Sequence, residues 1–344
     1  MHTLLLDSDD VDDNTPFAEL IVAVEEAFAA YEHGNAQMPA KSYIDLPKYN
    51  GDFRSMPAYL EVRGEDLAVG QRDDATSRAA GDWDAAGIKW VNVHTDNNAE
   101  YDLPTVLGTM IYSDPRTAYP LAILDGRSLT MKRTGAAAAV ATDHLAVADA
   151  HSLGIVGAGV QAYTQLEAIA TVRDIDTVVI SDLDEARVQR FVDHFSGRFD
   201  VRGGSVEEAA ACDVLSTVTP VESPIVSTAG DHTHINAMGA DAAGKHELAD
   251  DLLLGAKLVI DDHEQCTHSG EINVPYGAGV LTDDDIDAEL GEIVVGTKPG
   301  REAGDGVTVF DSTGLAIQDV AAAHVVYEHA TENDNGTQFD FFNL

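Results

Sequence analysis

The sequence predicts an α/β protein with two domains, one built on a parallel sheet and one on a mostly antiparallel sheet. Its 344 residues exceed one ordinary core, since domains usually take about 100–200 residues. From Ser152 onward, strand-like and helix-like segments alternate, which favours a parallel sheet with right-handed crossovers. Before that point, short and partly alternating segments are punctuated by Gly, Pro and Asp, which is typical of antiparallel strands.

The first domain is predicted to open with an amphipathic helix. Apolar residues repeat at helical spacing over residues 13–31, and Thr15-Pro16 stands where a helix would begin. An alanine-rich run over residues 130–148 predicts the helix that leads into the second domain. The predicted strands of the first domain are 41–47, 53–60, 67–70, 87–94 and 119–124.

The second domain is predicted over residues 130–312, and the first over residues 1–129 with 313–344. A last strand at 308–310 precedes a helix at about 315–329, which we expect to fold back onto the first domain. The polar stretch from Glu332 is either a loose tail or a docked one. The other predicted elements of the second domain are strands 153–156, 177–181, 213–218, 234–238 and 257–261 and helices 160–172 and 185–195.

The charge balance excludes one class of partner. The chain has 60 acidic and 20 basic side chains, a net charge of -40, so a nucleic-acid partner is not expected. The acids are scattered among patterned apolar runs, which favours a folded chain over a disordered one. We interpret this composition as that of a halophile protein, in which multimolar salt with a screening length of about 3 Å reduces the repulsion.

Compartment and membrane contact are constrained by two further observations. No stretch is long and apolar enough to span a bilayer, and the first thirty residues do not have the pattern of a signal peptide. The two cysteines, Cys212 and Cys266, cannot form a disulfide framework, so a reducing compartment is expected. We therefore expect a cytoplasmic protein without a membrane partner.

A glycine-rich turn predicts the cofactor. Residues 153–162 fit the G-x-G-x-x-(G/A) fingerprint after an apolar strand and before a helix, so the backbone can approach a pyrophosphate closely. Asp182 follows the next strand, about 23 residues after Gly159, where a carboxylate accepts hydrogen bonds from a ribose and repels a 2′-phosphate. This combination predicts a Rossmann domain that binds NAD, although Arg187 keeps NADP open. The predicted contacts are Gly157, Ala158, Gly159, Val160, Gln161 and Asp182.

The same residues also have a purely structural interpretation, in which the glycines make a tight turn and Asp182 caps the following helix. A metal site is a further possibility, because residues 261–268 and the pair His232 and His234 carry metal-binding side-chain types. Their spacing fits no standard structural site, so we expect no metal.

Several longer stretches are more distinctive than the glycine turn. Taken in order over about residues 38–323, they resemble the ornithine cyclodeaminase and mu-crystallin family, and the stretches with Lys41 and Arg54 are most similar to its archaeal alanine dehydrogenase branch. The stretches are MPAKSY at 38–43, DFRSMPAY at 52–59, GIKWVN at 87–92, LTMKRTGA at 129–136, NAMGADAAGKHEL at 236–248 and FDSTGLAIQD at 310–319.

The resemblance implies a Rossmann domain joined to an α+β substrate and dimerisation domain, and hence a homodimer. It implies an NAD-dependent alanine dehydrogenase, which interconverts L-alanine, NAD and water with pyruvate, ammonium and NADH. Alternatives are an ornithine cyclodeaminase, which makes proline from ornithine without net NADH, a ketimine reductase, or a mu-crystallin-like binding protein. The expected partner is thus a small amino or keto acid.

Cations are scarce here, and a carboxylate substrate requires them. The resemblance implies that Arg133 and Lys89 bind the substrate carboxylate. It implies that Lys41 and Arg54 contact a substrate oxygen, with Lys41 also catalytic. The alternative for each is an ordinary ion pair.

Asp241 follows a predicted strand, at the end of the sheet where parallel sheets place ligands. The resemblance implies that Asp241 is the catalytic aspartate that transfers protons, although an aspartate between glycines can also simply form a turn. Further cofactor contacts are implied at Thr217, Val218, Thr219 and Ser312, which could instead be simple caps.

Overall fold

The structure is a computed structural model that describes residues 2–63 and 82–343. The chain forms two compact units, Met1–Arg133 with Leu315–Leu344, and Thr134–Gly314. The strand predicted at 67–70 lies outside the described residues. No helix within the described ranges is long and apolar enough to cross a membrane.

The elements up to residue 145 include most of the first unit, and α4 begins in the first unit and ends in the second. A 3₁₀ turn at Pro47–Tyr49 links two strands of the first unit. The strands and α-helices described there are β1 (Thr3–Leu6), α1 (Ser8–Asp13), α2 (Phe17–Glu32), β2 (Ala36–Gln37), β3 (Ser42–Leu46), β4 (Gly51–Val62), β5 (Trp83–His94), α3 (Asn97–Tyr101), β6 (Val106–Ser113), β7 (Pro120–Asp125) and α4 (Gly126–Leu145).

The rest of the chain forms the second unit and then returns to the first. A further 3₁₀ turn lies at Asp283–Asp285. The remaining elements are β8 (Ser152–Val156), α5 (Val160–Val172), β9 (Thr177–Ser181), α6 (Glu185–Phe195), β10 (Asp200–Gly203), α7 (Val206–Ala210), β11 (Val214–Thr217), β12 (His234–Ala237), α8 (Asp250–Leu254), β13 (Lys257–Ile260), α9 (His263–Ser269), α10 (Asn273–Gly277), β14 (Ala288–Glu289), α11 (Leu290–Val294), β15 (Thr308–Asp311), α12 (Ala316–Glu332) and β16 (Thr337–Phe339).

The sheet of the first unit is mostly antiparallel, as predicted. Its strands lie in the order β16-β1-β7-β6-β5-β4-β2, and β3 also pairs with β4. One pair, β1 with β7, is parallel. Strands β1 and β6 were not predicted; in β6, Gly108 interrupts the alternation that buries Met110 and Tyr112.

Helices α2 and α12 pack on each other and on this sheet. The predicted return of the C-terminal helix to the first unit is therefore confirmed. The tail is docked, since β16 pairs antiparallel with β1. The first predicted helix begins at Phe17 and not near residue 13, because Pro16 lies at its N-cap and residues 8–13 form the separate helix α1, capped by Asp7.

The second unit contains a parallel sheet in the order β10-β9-β8-β11-β12-β15-β13-β14. Every strand pair in it is parallel. The direction in which successive strands are added to the sheet reverses at β8, which has β9 on one side and β11 on the other. In such doubly wound sheets, ligands bind beyond the carboxyl ends of the strands at this reversal.

Helix α7 lies very close to β8 because the strand has Gly154 at the point of contact. A Cβ atom at Gly154 would lie 2.0 Å from the carbonyl oxygen of Ala209. That distance is far inside van der Waals contact, and backbone atoms cannot move aside cheaply.

We therefore expect Gly154→Ala to lower the free energy of unfolding by about 1–3 kcal/mol through overpacking. Thermal or denaturant unfolding in high salt measures this. Gly277→Ala is the matched control, because a Cβ there meets nothing within 4 Å and alanine restricts the unfolded chain. Equal stability of the two variants would contradict the packing argument.

Candidate active site

A buried lysine lies in the middle of the first unit. Lys89 comes from β5, beside its cross-strand partners Met56 and Met110, and is only 1% exposed. Its Nζ donates hydrogen bonds to Asp319 Oδ1 (2.8 Å) and to Thr130 Oγ1 (3.2 Å). Alternation along β5 places this side chain on the buried face of the sheet.

Arg133 contacts the same carboxylate from α4. Its Nε donates to Asp319 Oδ1 (3.1 Å) and its Nη1 donates to Gln318 Oε1 (3.0 Å). Gln318 and Asp319 belong to the first turn of α12 and are fully buried. One carboxylate oxygen thus holds both predicted carboxylate-binding cations in place.

The electrostatics of this cluster favour an anionic ligand. Two cations share one carboxylate, so Lys89, Arg133 and Asp319 together carry an excess positive charge when Lys89 is protonated. The pKa of Lys89 is lowered to about 7, chiefly by burial and also by the charges of Arg133 and Lys41, while Asp319 opposes this shift. Within the described residues, Asp319 Oδ2 and Gln318 Nε2 are buried without a hydrogen-bond partner. Such atoms suit a polar ligand.

Lys41 and Arg54 belong to the same unit but are placed differently. Arg54 lies on β4, donates to Asp52 Oδ2 through Nε (3.0 Å) and Nη2 (2.9 Å), and stacks 5.6 Å from the ring centroid of Tyr43. Lys41 precedes β3, and its positive charge helps to lower the pKa of Lys89. The structure therefore joins Lys89 and Arg133 through Asp319, with Lys41 near enough to affect the pKa of Lys89, whereas Arg54 has an ion pair with Asp52.

Sequence reasoning assigned no role to Gln318, Asp319 or Thr130. The available signal was two adjacent polar residues in the first turn of an otherwise apolar helix, and a threonine three residues before Arg133. In the second unit, sequence reasoning also did not predict Lys245 as the partner of Asp241.

The predicted cofactor residues of the second unit gather at one edge of its sheet. Gly157 follows β8 with a φ of +104°, and a Cβ there would lie 2.9 Å from both Thr219 Cγ2 and Val218 O. Only glycine fits this turn. Gly159 is the N-cap of α5 without a capping side chain, and a Cβ on it would meet nothing within 4 Å.

The uncapped N-terminus of α5 is formed by Val160 and Gln161, and its amide groups suit a pyrophosphate. Asp182 Oδ2 accepts from the Ala158 amide (2.7 Å), and its Oδ1 accepts from the Asp184 amide (2.8 Å). Asp184 caps α6, so the structural interpretation of Asp182 as that cap is wrong. A carboxylate has further lone pairs for ribose hydroxyls. Arg187 is paired with Asp184 at 3.4 Å.

Neighbouring strand ends bring the other predicted residues to the same edge. Thr217 ends β11, and the Val218 amide donates to Val156 O (2.9 Å) at the end of β8. Ser312 follows β15, and its amide donates to Ala237 O (3.1 Å) at the end of β12. This edge therefore brings together the glycine turn, residues 217–219 and Ser312, which are the segments that the sequence predicts to contact the cofactor.

Asp241 lies four residues beyond β12 on this edge. It is partly exposed and forms an ion pair with Lys245. The i+4 spacing of Lys245 from Asp241 is a recognised signal for such pairs.

His263 and His234, from the two segments with metal-binding side-chain types, have other partners. His263 Nε2 is paired with Asp283 Oδ1 (2.8 Å), and His234 bonds Thr308 Oγ1 and Asn236 Oδ1. Burial lowers the pKa of His234 to about 3. Over residues 2–63 and 82–343, no three His, Cys, Asp or Glu side chains are grouped as metal ligands would be.

A family model described as ornithine cyclodeaminase/mu-crystallin family matches residues 1–70 and 75–334. The chain belongs to this family. The resemblance to this family that was found in the sequence is thereby confirmed.

Three relatives show how similar this family member is to characterised proteins. Alanine dehydrogenase of Archaeoglobus fulgidus is 43% identical over the whole of both chains. A solved archaeal alanine dehydrogenase dimer with bound NAD is 42% identical, with a TM-score of 0.89 over 99% of this chain and 100% of that one. Thermococcus litoralis Δ1-pyrroline-2-carboxylate reductase, solved with NADH and L-proline, is 34% identical, with a TM-score of 0.87 over 97% and 99%.

These relatives confirm three expectations. The fold is a mixed α/β fold with a parallel dinucleotide-binding sheet. The protein is an NAD-dependent enzyme of a family of dehydrogenases and reductases, and NAD is its cofactor. The glycine turn, the open N-terminus of α5 and Asp182 fit that cofactor.

The shared carboxylate predicts a stability effect. Asp319→Asn leaves two buried cations without their counterion, so we expect a loss of about 3–5 kcal/mol in the free energy of unfolding. Denaturant titration in molar KCl measures it. The matched control is Glu167→Gln, which removes one side of the exposed Arg198 pair at 4.0 Å and should change stability by about 0–1 kcal/mol. Equal effects would contradict the central role of Asp319.

Proposed function

We propose that this enzyme is an alanine dehydrogenase, which interconverts L-alanine, NAD and water with pyruvate, ammonium and NADH. The observation that carries the proposal is the pair of buried cations, Lys89 and Arg133, on the single carboxylate of Asp319. Identity of 43% to an archaeal alanine dehydrogenase supports it.

The substrate carboxylate binds Arg133 and Lys89. The guanidinium is already oriented by Asp319 and Gln318, so little rotamer freedom is lost when a carboxylate binds. The buried atoms Gln318 Nε2 and Asp319 Oδ2 are available to a ligand that carries both acceptor and donor groups. A small α-amino or α-keto acid has such groups.

Asp241 is the proton-transfer residue in this proposal. Its partial exposure allows proton exchange with solvent, and Lys245 keeps a positive charge beside it. Lys41 orients the carbonyl oxygen of pyruvate, which water contributes when alanine is oxidised, and Arg54 supports it electrostatically from β4. Bound NAD supplies the acceptor for the hydride that leaves the α-carbon. Asp182 favours NAD over NADP, because a 2′-phosphate would be repelled by its carboxylate.

The enzyme is further proposed to act as a homodimer in concentrated salt. The solved archaeal alanine dehydrogenase is described as a dimer. In the first unit, one face of the sheet exposes apolar side chains, among them Ile44, Trp90 and Ile111, as association surfaces do. The net charge of -40 requires screening, which a halophile's cytoplasm supplies.

A reductase of cyclic imino acids is the second candidate. The 34% identity to a pyrroline-2-carboxylate reductase over 97% of this chain favours it, and such a substrate also presents a carboxylate to cations. Ornithine cyclodeamination and ketimine reduction remain alternatives for the same reason.

The substrate assay follows NADH in molar KCl. Alanine dehydrogenase activity requires NADH oxidation with pyruvate that depends on ammonium, and NAD reduction with L-alanine. Proline formation from ornithine without net NADH, or faster ammonium-independent oxidation with pyrroline-2-carboxylate, would overturn the proposal.

Asp241→Asn is expected to lower kcat by about 10²–10⁴, because an amide cannot transfer the proton. NADH affinity, measured by fluorescence, should stay within about twofold, since the glycine turn is untouched. The control is Asp251→Asn, an exposed acid in α8. Full activity of the Asp241 variant would exclude the assigned role.

Lys89 predicts a pH dependence of substrate binding. Its pKa of about 7 means that it is an ammonium below pH 7 and neutral above it, so its attraction for a carboxylate is lost as pH rises. The Kd of pyruvate for the NADH complex, measured without ammonium, should rise about tenfold between pH 6 and 8. Lys89→Met should bind weakly with a flat profile, and a flat profile in the wild type would contradict the assignment.

A further inference from the structure

Four buried carboxylates occupy the ligand-binding edge of the second unit's sheet, and no catalytic or binding role has been given to them. Each is at most 1% exposed. Three of them are connected in series, because Asp261, Asp311 and Glu271 each accept hydrogen bonds from a segment that adjoins or carries the next acid, and Glu247 is the last of the series. We call them the carboxylate chain: Asp261, Asp311, Glu271 and Glu247.

The first acid of the carboxylate chain binds the segment that contains Ser312. Asp261 Oδ2 accepts from Ser312 Oγ (2.9 Å) and from the Gly314 amide (3.0 Å). Asp311, the residue before Ser312, accepts from the Glu271 amide (2.8 Å) through Oδ1 and from the Ile272 amide (3.1 Å) through Oδ2. The end of β15 is thereby bound to the segment that carries Glu271.

Glu271 in turn holds Glu247. Its carboxylate accepts from the amides of Glu247 (2.8 Å) and Leu248 (2.5 Å). Glu247 Oε1 accepts from both the amide (2.8 Å) and the hydroxyl (2.7 Å) of Thr219, and Oε2 accepts from the Gly239 amide (3.1 Å). One side chain therefore joins the segment after β11 to the segment after β12.

The contacts of Glu247 leave little room for movement. A Cβ at Gly239 would lie 2.3 Å from Glu247 Oε2 and 2.4 Å from Thr219 O. The methyl group of Thr219 lies against Gly157, where a Cβ would meet it at 2.9 Å. The carboxylate of Glu247 thus connects the ends of β11 and β12, and the Thr219 methyl group extends the contact to the end of β8. Asp241 follows Gly239 by two residues.

Burying these acids is unfavourable unless donors compensate. Burial raises the pKa of Glu247, and burial together with the charge of Glu247 raises the pKa of Glu271. Burial also raises the pKa of Asp311 to about 7. A fold that only needed stability would use apolar residues at such positions, so the donors bound by Glu247 are the informative part of the arrangement.

We propose that Glu247 is a positioning residue, whose carboxylate fixes the segment with Asp241 against residues 217–219 and so sets the place of Asp241 relative to the bound dinucleotide. The proposal rests on the proposed function for the role of Asp241. Because Glu247 acts through Gly239 and Thr219, it needs no contact with substrate. Misplacement of a reacting group by about 1 Å can lower a rate by about 10²-fold.

Glu247→Gln tests this with almost no change of shape. An amide keeps one acceptor oxygen, so the variant can satisfy the two donors of Thr219 while its NH₂ group faces the N–H of Gly239, donor against donor. The variant side chain should therefore lose its hydrogen bond to the segment with Gly239 and keep its hydrogen bonds to the segment with Thr219. We expect kcat per NADH-binding site to fall at least about tenfold, with the Kd of NADH changed less than about threefold.

A structural role alone would lower the melting temperature and the fraction of active sites, but not kcat per titrated site. The matched control is Asp213→Asn at the opposite edge of the same sheet, where the Asp213 carboxylate accepts from the amides of His151 and Ser152 (3.0 Å each). It should lower stability and leave kcat per site unchanged. If Glu247→Gln does not fold, Glu247→Asp keeps the charge but is too short to reach both segments, and the same loss is expected.

A second readout needs no substrate and separates this inference from the proposed function. Amide hydrogen exchange with NADH bound should increase in Glu247→Gln over residues 239–245, and remain as in wild type over 157–161. Absence of wild-type alanine turnover would count against the proposed function alone. Unchanged exchange at 239–245, or kcat per site within about twofold of wild type, would overturn the role of Glu247.

Discussion

The organisation of the first unit depends on the ionic interaction of Asp319 with Lys89 and Arg133. Removing either cation from water costs several kcal/mol unless an opposite charge and hydrogen bonds replace the lost hydration. Asp319 Oδ1 supplies both, at 2.8 Å from Lys89 Nζ and 3.1 Å from Arg133 Nε. Since one carboxylate serves two cations, positive charge remains for a ligand. This explains how a chain with net charge -40 can hold an anion.

The second unit has a different constraint. Its parallel strands end together, so the backbone N–H donors that follow them lie at one edge of the sheet and need acceptors. The glycine turn and the open start of α5 leave donors exposed there for a dinucleotide. Donors farther along the same edge are satisfied by the buried acids from Asp261 to Glu247. The edge thus combines an open cofactor cradle with a rigid polar interior, both made from backbone amides.

Local signals in the sequence predicted the second unit best. The helices at 160–172 and 185–195 and the strand at 177–181 have the predicted bounds, because apolar periodicity and caps are properties of adjacent residues. Strand β10 was missed because its four residues bury only Val201. In the first unit, β1 was missed because its partner β7 lies more than a hundred residues away in the chain.

The sequence by itself determined the two-domain α/β organisation, the NAD fingerprint at Gly157 and Gly159, the acidic character and the family. It also named Lys89 and Arg133, through the family resemblance and because cations are scarce in this chain. Only the tertiary structure decided that these two share Asp319, which is 230 residues from Lys89 in the chain, and that Glu247 joins two strand ends. The reason is physical: a buried charge is specified by what surrounds it in space, and no local pattern records which distant segment will supply its partner.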